Sequence, residues 1–207
     1  MTLTLFHTSP AHLPTFEALR DQIAPDLPLE QRVEAAWLAR ARKRGGVSAG
    51  LAGEIAQAVR RATGPVLCTC TTIGEAAEAA GALRIDWPMM REAARLGGPI
   101  LMAYCLESTW GPSLALLERA LAAEGREATV HPMPLTQYWP LFESGAGEAF
   151  DAVIAGEIRQ VLESPREVAC VVLAQASMAG AAPRLADQPV PVLASPELAF
   201  RAALEAF

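Results

Sequence analysis

The chain has 207 residues, of which 52% are hydrophobic and 19% charged, and its net charge is −6. These figures exclude a disordered or fibrous chain and leave one large domain or two small lobes. The acid excess argues against a nucleic-acid partner, since binding by counterion release needs a basic face; the cluster Arg40, Arg42, Lys43 and Arg44 reads as cations at the C-terminal end of a helix.

In chain order, the apolar run at residues 3–6 reads as a strand feeding the loop His7-Thr8-Ser9-Pro10. Pro14 opens a helix with Phe16, Leu19 and Ile23 on one face. A second helix is expected after Pro28, with Leu29, Val33 and Trp37 spaced by four, stopping at Gly45-Gly46. Ser48 caps a third, whose stripe is Leu51, Ile55, Val59 and Ala62, and Gly64-Pro65 ends it. Residues 66–70 then read as a buried strand running into Thr71-Thr72-Ile73-Gly74 and a short Ala-rich helix.

The second half follows the same plan. Residues 100–105 form a strand, Leu106-Glu107-Ser108-Thr109 a loop, and Pro112 opens a helix with Leu114, Leu117 and Leu121. A strand at 129–133 precedes a helix at 148–163 carrying Phe150, Ile154, Ile158 and Val161. Residues 168–174 form a strand that runs into a small-residue helix beyond Gln175-Ala176-Ser177. A last strand lies at 190–193, and Ser195-Pro196 starts the terminal helix. Strands alternating with helices imply an α/β fold with parallel sheets covered on both faces.

The halves overlay. Val66, Leu67, Cys70, Thr72, Ile73 and Ala76 fall on Val171, Val172, Gln175, Ser177, Met178 and Ala181 at an offset of 105 positions. His7, Ser9, Pro14, Thr15, Phe16 and Leu19 fall on Cys105, Glu107, Pro112, Ser113, Leu114 and Leu117 at an offset of 98. Two pseudo-symmetric lobes are expected, one from residues 1–97 with 195–207 and one from residues 98–194.

The N-terminus has no basic segment and its apolar stretch stops at Phe6, so no export signal is read. No run reaches the ~18–20 apolar residues of a spanning helix. Three of the four cysteines, Cys68, Cys70, Cys105 and Cys170, end apolar runs, so the thiols are expected reduced in a cytoplasmic protein with no membrane partner. Cys68-x-Cys70 is too tight for a zinc knuckle and the three histidines are scattered, so no metal is expected.

Parallel α/β sheets bind ligands beyond the carboxyl ends of their strands. That rule selects the junctions at His7 to Pro10, Cys70 to Gly74, Leu106 to Thr109 and Gln175 to Ser177, which paired lobes would bring to one cleft. His7, Ser9, Thr71, Thr72, Glu107, Ser108, Thr109, Gln175 and Ser177 are the candidate binding residues, suited to a small anionic substrate. Cys70 is the candidate catalytic thiol. It leaves a buried strand at a helix N-terminus, where N–H donors and the dipole favour a thiolate. At the free pKa of about 8.5 only ~3% is ionised at pH 7, and a one-unit fall gives about a quarter. Cys68, Cys105 and Cys170 read as core, and His12 and His131 as ordinary histidines.

Cys70-Thr71-Thr72-Ile73-Gly74 after Val66-Leu67 resembles the first cysteine signature of the aspartate/glutamate/hydantoin racemase superfamily, and residues 171–178 resemble its second. Pro183-Arg184-Leu185, the run at 190–193 and the opening His7-Thr8-Ser9-Pro10 are similar to parts of the same family, so the resemblance spans nearly the whole chain. It implies two flavodoxin-like lobes with the substrate between them. It also implies cofactor-independent proton transfer beside a carboxylate or carbonyl by two facing cysteines. Here Gln175 stands at the second cysteine position, and an amide neither donates nor accepts a proton at useful pH. His7-Thr8-Ser9 replaces the acidic residue that the family's amino-acid racemases carry after the first strand.

Three functions stay open. In a one-thiol enzyme, Cys70 exchanges a proton with carbon, or adds to it, while Gln175, Ser177 and the threonines hold oxygens; isomerisation, decarboxylation and lysis all fit. A racemase or epimerase would use His7 or Glu107 as second base. A small-carboxylate-binding or regulatory protein would keep the cleft without turnover. An acidic α/β protein with apolar helices also suits a homo-oligomer.

Overall fold

A computed structural model describes residues 2–165 and 167–206. The chain divides into two compact units, one running through Trp87 and resuming at Pro196, the other Pro88–Ser195. Each is an α/β layer structure around a four-stranded, all-parallel sheet.

The first unit has strand order β2-β1-β3-β4. These strands are β1 Leu3–His7, β2 Leu29–Val33, β3 Val66–Cys68 and β4 Leu83–Arg84. Its helices are α1 Leu13–Ile23, α2 Ala35–Arg44, α3 Ala49–Arg61 and α4 Thr71–Glu78. The central strands β1 and β3 are buried at every position, as expected for strands covered on both faces. Leu51, Ile55 and Val59 of α3 and Trp37 and Ala41 of α2 pack with Phe6, Val66, Cys68 and Ile73. Ser48 caps α3 by accepting the Leu51 N–H at 3.3 Å. Gly45 ends α2 at φ +69°, a conformation that costs any residue with a Cβ.

The second unit has order β6-β5-β7-β8. It opens with α5 Trp87–Leu96, then β5 Ile100–Tyr104 and α6 Glu107–Ala123. Next come β6 Val130–Pro134, α7 Trp139–Glu143 and α8 Gly147–Leu162. It closes with β7 Cys170–Leu173, a 3-10 segment Ala176–Leu185 and β8 Val192–Ala194. Phe150, Ile154 and Ile158 of α8 pack on Leu101, Ala103, Val171 and Leu173 and on Met178 and Leu185 of the 3-10 segment. Pro132 and Pro134 sit in β6, an edge strand, where a missing N–H is tolerated. The last helix, α9 Ser195–Leu204, buries Ala199, Phe200 and Ala203. Among the described residues, no helix is long and apolar enough to cross a membrane.

The parallel α/β class is as the alternation of apolar runs implied. Several elements differ. Residues 29–33 pair with β1 as a strand and do not begin the second helix; the fourfold spacing of Leu29, Val33 and Trp37 fitted both states. The helix expected from Pro112 begins at Glu107, so Glu107, Ser108 and Thr109 form its first turn, not a loop. The segment after Gln175 is 3-10, not α-helical. The repeat is in the pairings: β1 meets β3 at Thr4↔Val66 and β5 meets β7 at Leu101↔Val171, which keeps the offset of 105 for the second strands. For the first strands the pairings give 97 in place of 98, setting His7 on Tyr104.

Candidate active site

Cys70 is the N-cap residue of α4, with extended backbone at φ −119° and ψ 116°. β3 ends two residues earlier, and Thr69 N–H bonds the Phe6 carbonyl at 3.0 Å, fixing the turn to β1. The Thr8 hydroxyl and the Thr72 and Ile73 main-chain N–H groups lie around the Cys70 sulfur, although its side chain makes no capping hydrogen bond to the helix. Those three contacts favour the thiolate, but burial outweighs them and pushes the thiol above its ordinary value. Asp86 adds to the rise. The lowered pKa expected for Cys70 at the helix end is overturned: the resting group is the neutral thiol. Cys70 is 9% exposed, against 0 to 1% for the other three cysteines. Burial also drives Cys68 up, Cys105 to about 12 and Cys170 to about 11.

His7 lies in the core, fully buried, with its ring 5.4 Å from that of Phe16. Nδ1 is 2.8 Å from Thr69 Oγ1 and Nε2 is 3.0 Å from Gln31 Oε1. Gln31 directs its NH2 toward the Leu13 carbonyl and Glu17, so its oxygen faces the imidazole. Facing Gln31 Oε1, Nε2 carries the proton of the neutral ring, while Thr69 Oγ1 lies against Nδ1 and donates to the Phe6 carbonyl at 3.1 Å. Burial lowers its pKa to about 4, opposed by Gln31. His7 is thus fully buried with both ring nitrogens engaged. Ser9 caps the short 3-10 segment Pro10–His12, accepting the Ala11 N–H at 3.3 Å. Thr71 and Thr72 lie buried in the first turn of α4.

In the second unit, Gln175 occupies the N-cap position of the 3-10 segment with 8% exposure. Its Oε1 accepts the main-chain N–H groups of Cys105 at 2.6 Å and Leu106 at 2.9 Å. That fixes Oε1 as the acceptor end of the carboxamide and Nε2 as its donor end. Glu107 is exposed at the start of α6, Ser108 half-buried and Thr109 buried. Ser177 Oγ is buried without a hydrogen-bond partner. The structure thus joins Thr8, Cys70 and Thr72 in one unit, and Gln175 with the β5–α6 junction in the other.

Three features were not found from sequence. Thr8 belongs with Cys70, and its only sequence signal was its place after β1. Tyr104 stacks on Trp110, ring centroids 5.3 Å apart, and burial raises its phenol pKa, with the Glu107 charge adding to the rise. Arg84 and Asp86 form a buried ion pair next to the Cys70 turn. Among the described residues, no group of three or more His, Cys, Asp or Glu is placed to hold a metal ion.

The architecture is that of the racemases built on two parallel α/β sheets. Glutamate racemase from Thermus thermophilus, solved with β-chloro-D-alanine, matches with TM-score 0.67 and 18% identity over 99% of this chain and 79% of that one. Glutamate racemase from Francisella tularensis, in complex with D-glutamate, gives 0.67 and 13% over 99% and 80%. Allantoin racemase from Klebsiella pneumoniae gives 0.61 and 17% over 99% and 86%. No protein-family sequence model matches the chain, and no curated protein does.

Proposed function

We propose that the chain is a cofactor-independent enzyme of the racemase-superfamily type that delivers a proton to carbon beside the carboxylate of a small organic acid, with Cys70 as its single acid. The observation that carries this reading is the setting of Cys70. A neutral thiol at rest is a proton donor, and the Thr72 and Ile73 N–H groups with the Thr8 hydroxyl are placed to receive the thiolate it leaves. Hydrogen bonds to an ionised group contribute roughly 1.5–3 kcal/mol each, enough to bring a buried thiol within reach of an enolate.

The proton balance is closed. A carbon–carboxylate bond breaks to give CO2, and the electron pair remains on the α-carbon as an enolate. The Cys70 S–H bond breaks to form the new C–H bond, and water restores the thiol proton. Gln175 cannot act as a second acid or base, so its Nε2 hydrogens serve to bind a carboxylate or enolate oxygen. Small acids bound by the structural neighbours, D-glutamate and β-chloro-D-alanine, suit the same ligand class.

Incubation in D2O with a panel of dicarboxylates, amino acids and hydantoins tests the reading. Deuterium entering one carbon of a panel member, lost in Cys70→Ser, is the expected result. Unchanged incorporation in Cys70→Ser would refute the assigned role, and binding without incorporation would favour the carboxylate-binding alternative.

A further inference from the structure

We infer that the buried Arg84–Asp86 pair is a positioning element for the Cys70 turn, through the contact its guanidinium makes with Gly74. Its catalytic meaning rests on the reading of Cys70 above. β4 ends at Arg84, which is in register with Cys68, and the Ile85 N–H bonds the Cys68 carbonyl at 3.0 Å. Arg84 Nε and Nη2 donate to the two Asp86 oxygens at 2.9 Å each, with side-chain exposures of 4% and 1%. Nη1 is 3.9 Å from Glu78 at the far end of α4.

The clamped guanidinium supports the start of α4. A Cβ on Gly74 would lie 3.0 Å from Arg84 Nε and 3.4 Å from Cζ, tighter than an ordinary contact, so the helix or the guanidinium would have to give by a few tenths of an ångström. Thr72 and Ile73, which lie beside the Cys70 sulfur in the first turn of α4, are two and one residues before Gly74. The contacts therefore run from Asp86 to Arg84, to the α4 backbone, to the donors around the thiol. A buried ion pair is a weak source of net stability, whereas a bidentate fork fixes geometry well. The charged and titratable groups around this turn are Cys68 on β3, Arg84 and Asp86 at β4, and Glu78 on α4.

Arg84→Lys keeps the charge and loses the fork. Gly74→Ala keeps both ionic partners and presses a methyl group on the guanidinium that Asp86 holds, so the start of α4 shifts against it. Each variant would be alkylated with iodoacetamide across pH, with Cys70 followed by peptide mass mapping. The amides move away from the sulfur, so the titration midpoint should rise by about half a pH unit or more and the rate at pH 8 should fall at least threefold. Wild-type profiles in the folded variants would overturn the inference. Should Arg84→Lys fail to fold, Gly74→Ala decides alone, since alanine is favoured over glycine inside a helix. Alkylation needs no turnover, so this result is independent of whether Cys70 proves catalytic.

Discussion

The carboxamide oxygen of Gln175 lies 2.6 Å from the main-chain nitrogen of Cys105, and the same oxygen takes the next N–H, that of Leu106. The side chain thus fills a two-amide pocket with its own acceptor and keeps only donors for another group. Gln175→Glu would retain the acceptor in that pocket while presenting a second carboxylate oxygen in place of the NH2. Its melting temperature should stay near wild type, and titration with the carboxylate that supports deuterium exchange should show at least tenfold weaker binding, about 1.4 kcal/mol.

Gln175→Ala empties the pocket and leaves two buried N–H groups without the acceptor. Urea denaturation should show a loss of about 1–3 kcal/mol. A wild-type midpoint would mean that water replaces the carboxamide oxygen at no cost.

His7 sets an acid limit on stability. Its pKa falls from about 6.5 in the unfolded chain to about 4 in the fold, so the unfolded state binds more protons between those values. The stability contributed by the neutral ring is fully present above pH 6.5 and is lost as pH falls toward 4, by up to about 3 kcal/mol. His12 is lowered to about 4 as well, first by burial and then by the His7 charge, and acts in the same direction. Urea midpoints measured from pH 7 to pH 4 should drop steeply. The slope should be shallower in His7→Phe, whose overall stability is lower because Thr69 and Gln31 lose their partner.

The packing stripe of α3 offers a check on the first unit. Ile55 is fully buried at its centre, and Ile55→Ala should cost about 2–5 kcal/mol in the same denaturation measurement. Gly53, on the same helix with open space around its Cβ position, should accept alanine with no loss.

The sequence displayed most clearly what short-range periodicity encodes. Leu51, Ile55 and Val59 fall one turn apart, and Ile100 to Tyr104 is apolar without a break, so α3 and β5 were legible. β2 was not, because Leu29 and Val33 suit a helix as well as an edge strand, and only pairing with β1 decides. β4 has two residues and carries no period at all. Pro112 looked like a first-turn proline, but it stands inside α6, which begins five residues earlier at Glu107.

Among the site residues, Cys70 was legible as a residue at a strand-to-helix junction, and its ionisation was not. The donors came from local geometry, whereas the opposing burial comes from residues far along the chain. Likewise, nothing local marks Gln175 as the partner of amides 69 and 70 residues earlier. Arg84-x-Asp86 carries no local sign of the burial it has in the fold.

The protonation state of Cys70 tests the proton-delivery mechanism most directly. The wild-type protein would be alkylated with iodoacetamide from pH 6 to pH 11, with modification assigned by peptide mapping. A thiol held neutral by burial gives an inflection above the free value of about 8.5 and modification confined to Cys70 in the folded state. An inflection well below 8.5 would show a preformed thiolate and contradict the assignment of Cys70 as the resting acid.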